Sequence, residues 1–197
     1  MHTFALTVRA VSYEQMQFVM DKRQQLLEIA TKLFSERGYE NTPLSAVCET
    51  ANVSKGLISH HFKSKDGLLR EIFISTTKMI IEMNRNDKTI LSAKGRLKDL
   101  LESFFTQLEA DKLFFQFNLN MMVQPNTRQI LDDLIKERSS YILNATKSIF
   151  SEIDPENSTV LSYMFIAELD GIALNYLGIF QDYPLEQIKN HIMKKYI

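Results

Sequence analysis

The sequence is short of residues that break or cross-link a chain. Of 197 residues, four are proline, six are glycine and one, Cys48, is cysteine. A single cysteine excludes an intramolecular disulfide and fits a reducing compartment, here the cytoplasm. Within an apolar run it reads as a small buried residue rather than a reactive thiol. Scarce proline and glycine leave long stretches free to be helical, and the many Leu, Ile, Lys, Glu and Met residues favour helix. No run alternates polar and apolar residues convincingly as a strand would, and no internal repeat or low-complexity tract is visible. No phosphate-binding loop, HExxH pattern, cysteine cluster or nucleophile–base arrangement supports catalysis, so an enzyme is not expected, nor any metal or cofactor. Charge of one sign is also lacking. The net charge is −1, against 45% hydrophobic and 24% charged residues. From Met20 to Arg70 there are eight Lys/Arg against six Asp/Glu, and from Glu71 onward fourteen against seventeen. That bias has the sign of a nucleic-acid-binding head on a more acidic body.

What is present is organised around Thr42–Phe62, TPLSAVCETANVSKGLISHHF. Thr42 and Pro43 read as a cap and first turn, and Leu44, Val47, Cys48 and Ala51 then recur at helical spacing. Asn52 tolerates the left-handed backbone a sharp turn requires. Ser54 can cap a second helix, which Ile58 and Phe62 pin to its neighbours. This is a helix-turn-helix pattern, whose second helix enters the DNA major groove.

Around it the chain reads as helices. Residues 1–19 form an N-terminal extension: a flexible arm, a short extra helix, or upstream sequence from a wrong start assignment, with Met20 as an alternative start. A helix is expected over about Asp21–Arg37, ended by Gly38. Another begins after Ser64 and carries Leu68, Leu69, Ile72, Phe73, Thr76 and Ile80. The polar run Asn84–Thr89 marks a boundary, so residues 20–82 form a head and 90–197 a body. Body helices are expected over about Ala93–Glu109, Lys112–Val123, Thr127–Phe150, 156–180 and 184–196, for about nine helices in all. Val160–Phe180 is long and apolar, yet Glu168 and Asp170 sit in its middle, where a bilayer would penalise them. It reads as a soluble helix with almost no face to spare for water. A second chain is expected to cover it, with Ala167, Gly171 and Gly178 allowing close approach; the alternative is a central helix buried inside a monomer.

Several linked motifs resemble one family. Leu33-Phe34, Gly38-Tyr39, Thr42, Ala51, Val53-Ser54-Lys55-Gly56 and Phe62-Lys63-Ser64-Lys65, over roughly Met20–Phe73, look like the DNA-binding domain of TetR-family transcriptional regulators. The resemblance implies an all-helical homodimer with a three-helix head, a ligand-binding and dimerisation body, and an interface made by the last two helices. It implies a regulator, most often a repressor, on a near-palindromic operator and released by a small-molecule effector. Thr42 would then contact a phosphate, with Ser45 a weaker candidate. Lys55 and Gly56 open the reading helix, and Lys65 matches a backbone-contacting lysine. Three positions depart from the family pattern, one being Asn52 in place of a usual Gly, which the left-handed turn permits. Ser59 stands where a Tyr is usual and Leu57 where a Thr is common. The phosphate contact of that Tyr is then missing, shortened or passed to His60, and Leu57, if exposed on the reading face, could pack on a thymine methyl. The rival class is a helical small-molecule-binding protein or enzyme without DNA-binding activity.

In the body, Phe104, Phe105, Phe114, Phe115, Phe117, Met121 and Met122 fall within nineteen residues. They form either core or an apolar effector pocket, in which Phe104, Phe117 and Met121 would line the wall and Gln116 and Asn120 supply polar contacts. Glu168 would hold a cationic effector or pair with a lysine of a second chain.

Overall fold

The computed structural model describes the backbone of residues 13–84 and 92–197, with side chains over 22–82 and 92–197. The reading of residues 1–12, and of the boundary run beyond Asn84, lies outside these. The described residues are helical throughout: α1 Tyr13–Arg37, α2 Leu44–Ala51, α3 Lys55–Phe62, α4 Lys65–Asn84, α5 Ala93–Ala110, α6 Lys112–Val123, α7 Pro125–Ile130, α8 Asp132–Ile153, α9 Ser158–Leu174, a π-turn at Asn175–Ile179, and α10 Leu185–Tyr196. The fold is all-α, a helix-turn-helix head on a helical body. Two boundaries differ from expectation. α1 starts eight residues earlier than Asp21. The helix expected over Thr127–Phe150 is broken at Leu131 (φ −107°, ψ 7°). Leu131 is buried against the head, and Asp132 and Asp133 open α8, where acids suit the exposed amides.

Two apolar clusters hold the chain together. The first joins Leu26, Ala30 and Phe34 of α1 to Val47, Ile58, Phe62, Leu68 and Phe73, and also takes in Phe117, Met121 and Leu131 from the body. The second packs Leu97, Leu101 and Phe105 of α5 against Ile149, Phe150, Phe165 and Leu169. The head is thus cored partly by α6. Polar links reinforce this: Ser35 donates to the Leu113 carbonyl at 3.4 Å, and Asn126 bonds Glu40.

Arg70 of α4 makes the most specific head–body link. It donates to both carboxylate oxygens of Asp133, at 2.7 and 2.6 Å, and to the Ile130 carbonyl at 2.8 Å. The guanidinium holds the Asp133 carboxyl down to about 2. A carboxyl depressed on folding stabilises the fold above its unfolded pKa and loses that contribution as pH falls through the folded value. Asp133→Asn should therefore be less resistant to denaturant than wild type at pH 7, with the difference closing between about pH 4 and about pH 2. Equilibrium denaturation across that range checks this; a constant difference would assign the effect to something other than ionisation.

The segment Ser158–Ile179 is long and apolar enough to cross a membrane by length and composition. It packs against α8, and Phe165, Leu169 and Ile172 face the second cluster. Val160, Tyr163, Met164 and Leu174 are left between 48% and 59% exposed on its other side.

Candidate nucleic-acid interface

The turn between α2 and α3 forms as its residues dictate. Asn52 takes the left-handed conformation (φ 51°, ψ 52°), and its amide bonds the Glu49 carbonyl. The Ser54 hydroxyl accepts from the Leu57 amide at 3.4 Å and starts α3. Ile58 and Phe62 are buried in the head, which turns Lys55, Gly56, Ser59, His60 and Lys63 outward together. Lys55, Gly56, Ser59 and His60 share one face of α3 by their spacing, and Lys63 lies exposed just past its end. Ser45, at the start of α2, is half-buried.

Beyond α3 the chain reverses within two residues. Lys63 has φ 67° and ψ −47°, and the Ser64 amide donates to the Phe62 carbonyl at 2.8 Å, closing a γ-turn. Ser64 then caps α4 by accepting from the Gly67 amide at 3.0 Å. Tyr39, buried between α1 and α2, donates to Asp66, while the Lys65 ammonium donates to the Tyr39 carbonyl at 2.6 Å and lies 4.1 Å from the centre of its ring. Burial lowers the Lys65 pKa, opposed by Glu40 and Asp66. This knot sets the start of α4 against the α1–α2 connection.

The site residues read from the sequence therefore separate. Lys55, Gly56, Ser59 and His60 share the open face. Thr42 does not. Its side chain is wholly buried, and its hydroxyl donates to the Gly38 carbonyl at 2.8 Å and to that of Leu33 at 3.3 Å. Pro43 occupies the N-cap position of α2 without a side-chain bond. Thr42 thus closes the end of α1 instead of capping α2, which leaves its side chain no phosphate to meet. Leu57 packs half-buried against the head core rather than standing on the reading face. Lys65 is occupied by Tyr39. Lys63, four residues after Ser59 and not among the residues read as candidates from the sequence, is exposed just past the end of α3. His61 packs between His60 and Phe62, its Nε2 buried without a hydrogen-bond partner. Burial lowers its pKa, with His60 and Arg23 adding to the effect. Among the described residues, no group of three His, Cys, Asp or Glu side chains could hold a metal.

The six effector candidates do not converge. Phe104 is half-buried, edge-on to Phe105 and Phe115 at 5.2 and 5.6 Å. Phe117 and Met121 are fully buried in the head-side core, where they hold α6 against the head. Asn120 donates across to the Ser35 carbonyl of α1 at 3.4 Å, and Gln116 is half-buried on the same helix. Glu168 accepts from Lys195 and from the Tyr196 hydroxyl within its own chain.

Residues 26–72, the helix-turn-helix and its supports, match the model of the family described as bacterial regulatory proteins, tetR family. A curated relative, the uncharacterized HTH-type transcriptional regulator YhgD of Bacillus subtilis (strain 168), is 42% identical over 154 residues, covering 78% of this chain and 70% of that protein. The chain belongs to the TetR family. Other TetR-type relatives align over less: the regulator BetI of Burkholderia mallei (strain NCTC 10229) is 29% identical over 121 residues, 55% of this chain and 59% of its own length. The fold is shared with the regulator FadR of Bacillus subtilis, solved in complex with stearoyl-CoA, at a TM-score of 0.73, 22% identity and coverage of 88% and 97%. The residues matched to the family model, 26–72, include the whole of α3 and its exposed face.

Proposed function

We propose that this TetR-family regulator acts in the cytoplasm as a homodimeric repressor that grips a near-palindromic operator and is released by a small-molecule effector. The division of labour follows the chain: residues 20–82 read DNA, and 90–197 bind effector and partner. The observation that carries the reading is the shared outward face of Lys55, Gly56, Ser59 and His60 on a helix whose other side is locked into the core, with Lys63 exposed just past its end. Lys55 and Lys63 meet phosphates or guanine edges, His60 takes the phosphate contact, and Ser45 adds a contact at the start of α2. With Leu57 turned inward, Ser59 is the small residue through which the helix can sit deep in the groove.

The dimer reading is supported by α9. Val160, Met164, Ala167, Gly171, Leu174 and Gly178 recur at three- and four-residue spacing, and a Cβ built on Gly171 or Gly178 meets nothing within 4 Å. Half-exposed apolar side chains beside open glycines suit a second helix from a second copy, completed by α10. Effector release is linkage: operator and effector favour different dimer shapes, so each weakens the other. A long-chain acyl thioester, as in the FadR complex, is one chemical precedent on this fold.

Gel-shift against fragments recovered by unbiased genomic selection tests the reading. Lys55→Ala should weaken binding to all selected fragments alike and reduce the slope of log affinity against log salt by about one for each phosphate contact removed. Absence of specific binding to any genomic fragment would sink the regulator and favour a helical small-molecule-binding protein.

A further inference from the structure

DNA reading and dimerisation leave one charged group of the body unexplained. Arg138, on α8, is only 4% exposed. Its Nε donates to the Thr77 hydroxyl at 2.7 Å. One terminal nitrogen donates to the Phe73 carbonyl at 2.7 Å and the Thr76 hydroxyl at 2.8 Å, and the other to the Asn118 side-chain oxygen. The guanidinium lies 3.5 Å from the centre of the Phe73 ring. Every one of these acceptors is neutral. No carboxylate among the described residues pairs with Arg138, and Asp133, five residues before it on α8, is committed to Arg70. Burial presses the guanidinium down to about 9. The site therefore satisfies the hydrogen bonds of a full positive charge while leaving the charge itself uncompensated, the costly arrangement in a protein interior.

A planar fork of donors in low dielectric is matched to a carboxylate or phosphate, which accepts two parallel bonds. Asn118 lies on α6 one turn after Phe114, where a run of aromatic side chains begins. Asn118 donates to the Phe114 carbonyl at 2.6 Å, and the Phe114 ring is edge-on to Phe115 at 5.2 Å, which meets Phe104. We propose that Arg138, flanked by Asn118, Thr76 and Thr77, seats the anionic head of an amphiphilic effector whose apolar part lies along Phe114, Phe115 and Phe104. This rests on the reading above that an effector releases the operator, and it names the effector's chemical class. The seat also supplies the coupling. Three of the four acceptors, Phe73, Thr76 and Thr77, lie on α4, whose first turns carry Lys65, Gly67 and Arg70 against the head. An anion that draws the guanidinium off them frees α4 from α8.

The test is calorimetric titration of the full-length protein with octanoate, octyl phosphate, octanol and octyltrimethylammonium, beside operator gel-shifts with the same four compounds. Saturable binding of octanoate or octyl phosphate is expected, with octanol weaker by about tenfold or more, the ammonium inert, and operator release by the anion alone. Asn118→Asp sets a carboxylate of the same size against Arg138, so it should abolish anion binding; because it gives up the donor to the Phe114 carbonyl, circular dichroism checks that the variant is folded. Arg138→Gln should lose the preference for anions, and Asn118→Asp decides the matter if that variant fails to fold. The proposal is overturned if neither anion binds, if octanol binds as well as octanoate, or if Asn118→Asp binds octanoate like wild type. Operator binding without any probe separates the two claims. A protein that binds anions through Arg138 but no DNA overturns the regulator, and one that binds DNA but no anion overturns only this seat.

Discussion

Gly67→Ala should unfold the DNA-binding head at temperatures where the wild type is intact. A Cβ at residue 67 would lie 1.9 Å from the Phe62 carbonyl oxygen and 3.1 Å from its carbon. The obstacle is backbone at the end of α3, so no flexible side chain can swing aside. The Phe62 carbonyl is also the acceptor that closes the γ-turn at Lys63, and the Gly67 amide is the one Ser64 caps. Relief of the clash therefore dismantles both the exit from α3 and the entry to α4. Alanine is the better helix former by roughly 1 kcal/mol, but overpacking against fixed backbone costs about 3 kcal/mol or more, so the clash wins. For a chain of this size the loss corresponds to a fall in Tm on the order of 10 °C. The control is Gly56→Ala, where the new Cβ would meet only the Ser54 hydroxyl at 3.6 Å, an ordinary contact. That variant should match or exceed wild-type stability. Differential scanning calorimetry of the two variants decides it, and equal melting temperatures would refute the close approach.

Gly171→Leu should separate the two copies while leaving each chain folded. In the single chain nothing lies within 4 Å of a Cβ at this position, and the helix gains a better helix former. If a second α9 packs there, the added side chain forces the helices apart along the whole stripe from Val160 to Leu174. Met164→Glu reaches the same end by placing a charge in that contact, where desolvation without a partner is costly. Sedimentation should show monomer for both variants, with circular dichroism of unchanged helicity. Operator affinity should fall by roughly 10²–10⁴-fold, because two linked heads bind as one event and a single head does not. A Gly171→Leu protein that still sediments as a dimer would move the interface off α9.

These expectations rest unequally on sequence and on structure. The helix-turn-helix was legible because its signals are local: a left-handed Asn52, a serine cap at Ser54, and Ile58 and Phe62 one turn apart all act within four residues. The same holds for Gly38 closing α1, with φ 80°. Thr42 was misread for an equally local reason. A threonine before Pro43 is a good cap, and only the packing of α1 shows that its hydroxyl turns back to Gly38 instead. Leu57 carries no sequence mark that separates a reading residue from a half-buried one. Arg138, in an amphipathic helix among Lys136 and Glu137, looks like a surface charge, since its acceptors are supplied 20 to 65 residues away. Phe117 and Met121 left core and pocket both open in the sequence, and the packing of α6 against the head places them in the core.

By itself, the sequence determined the all-helical class, the order of the helices, the two-helix reading motif, the family and the apolar helix left without cover. Each of these is set by spacing and turn chemistry along the chain, and a helix carries its own hydrogen bonds. The tertiary structure alone decided which face of each helix meets which neighbour. It placed α6 in the core of the head, buried Thr42, packed Leu57 half-buried against the head, kept Lys55, Ser59 and His60 outside, and set Arg138 among neutral acceptors from α4 and α6. A side chain's depth and partners depend on segments far away in the sequence, and periodicity along one helix does not encode them.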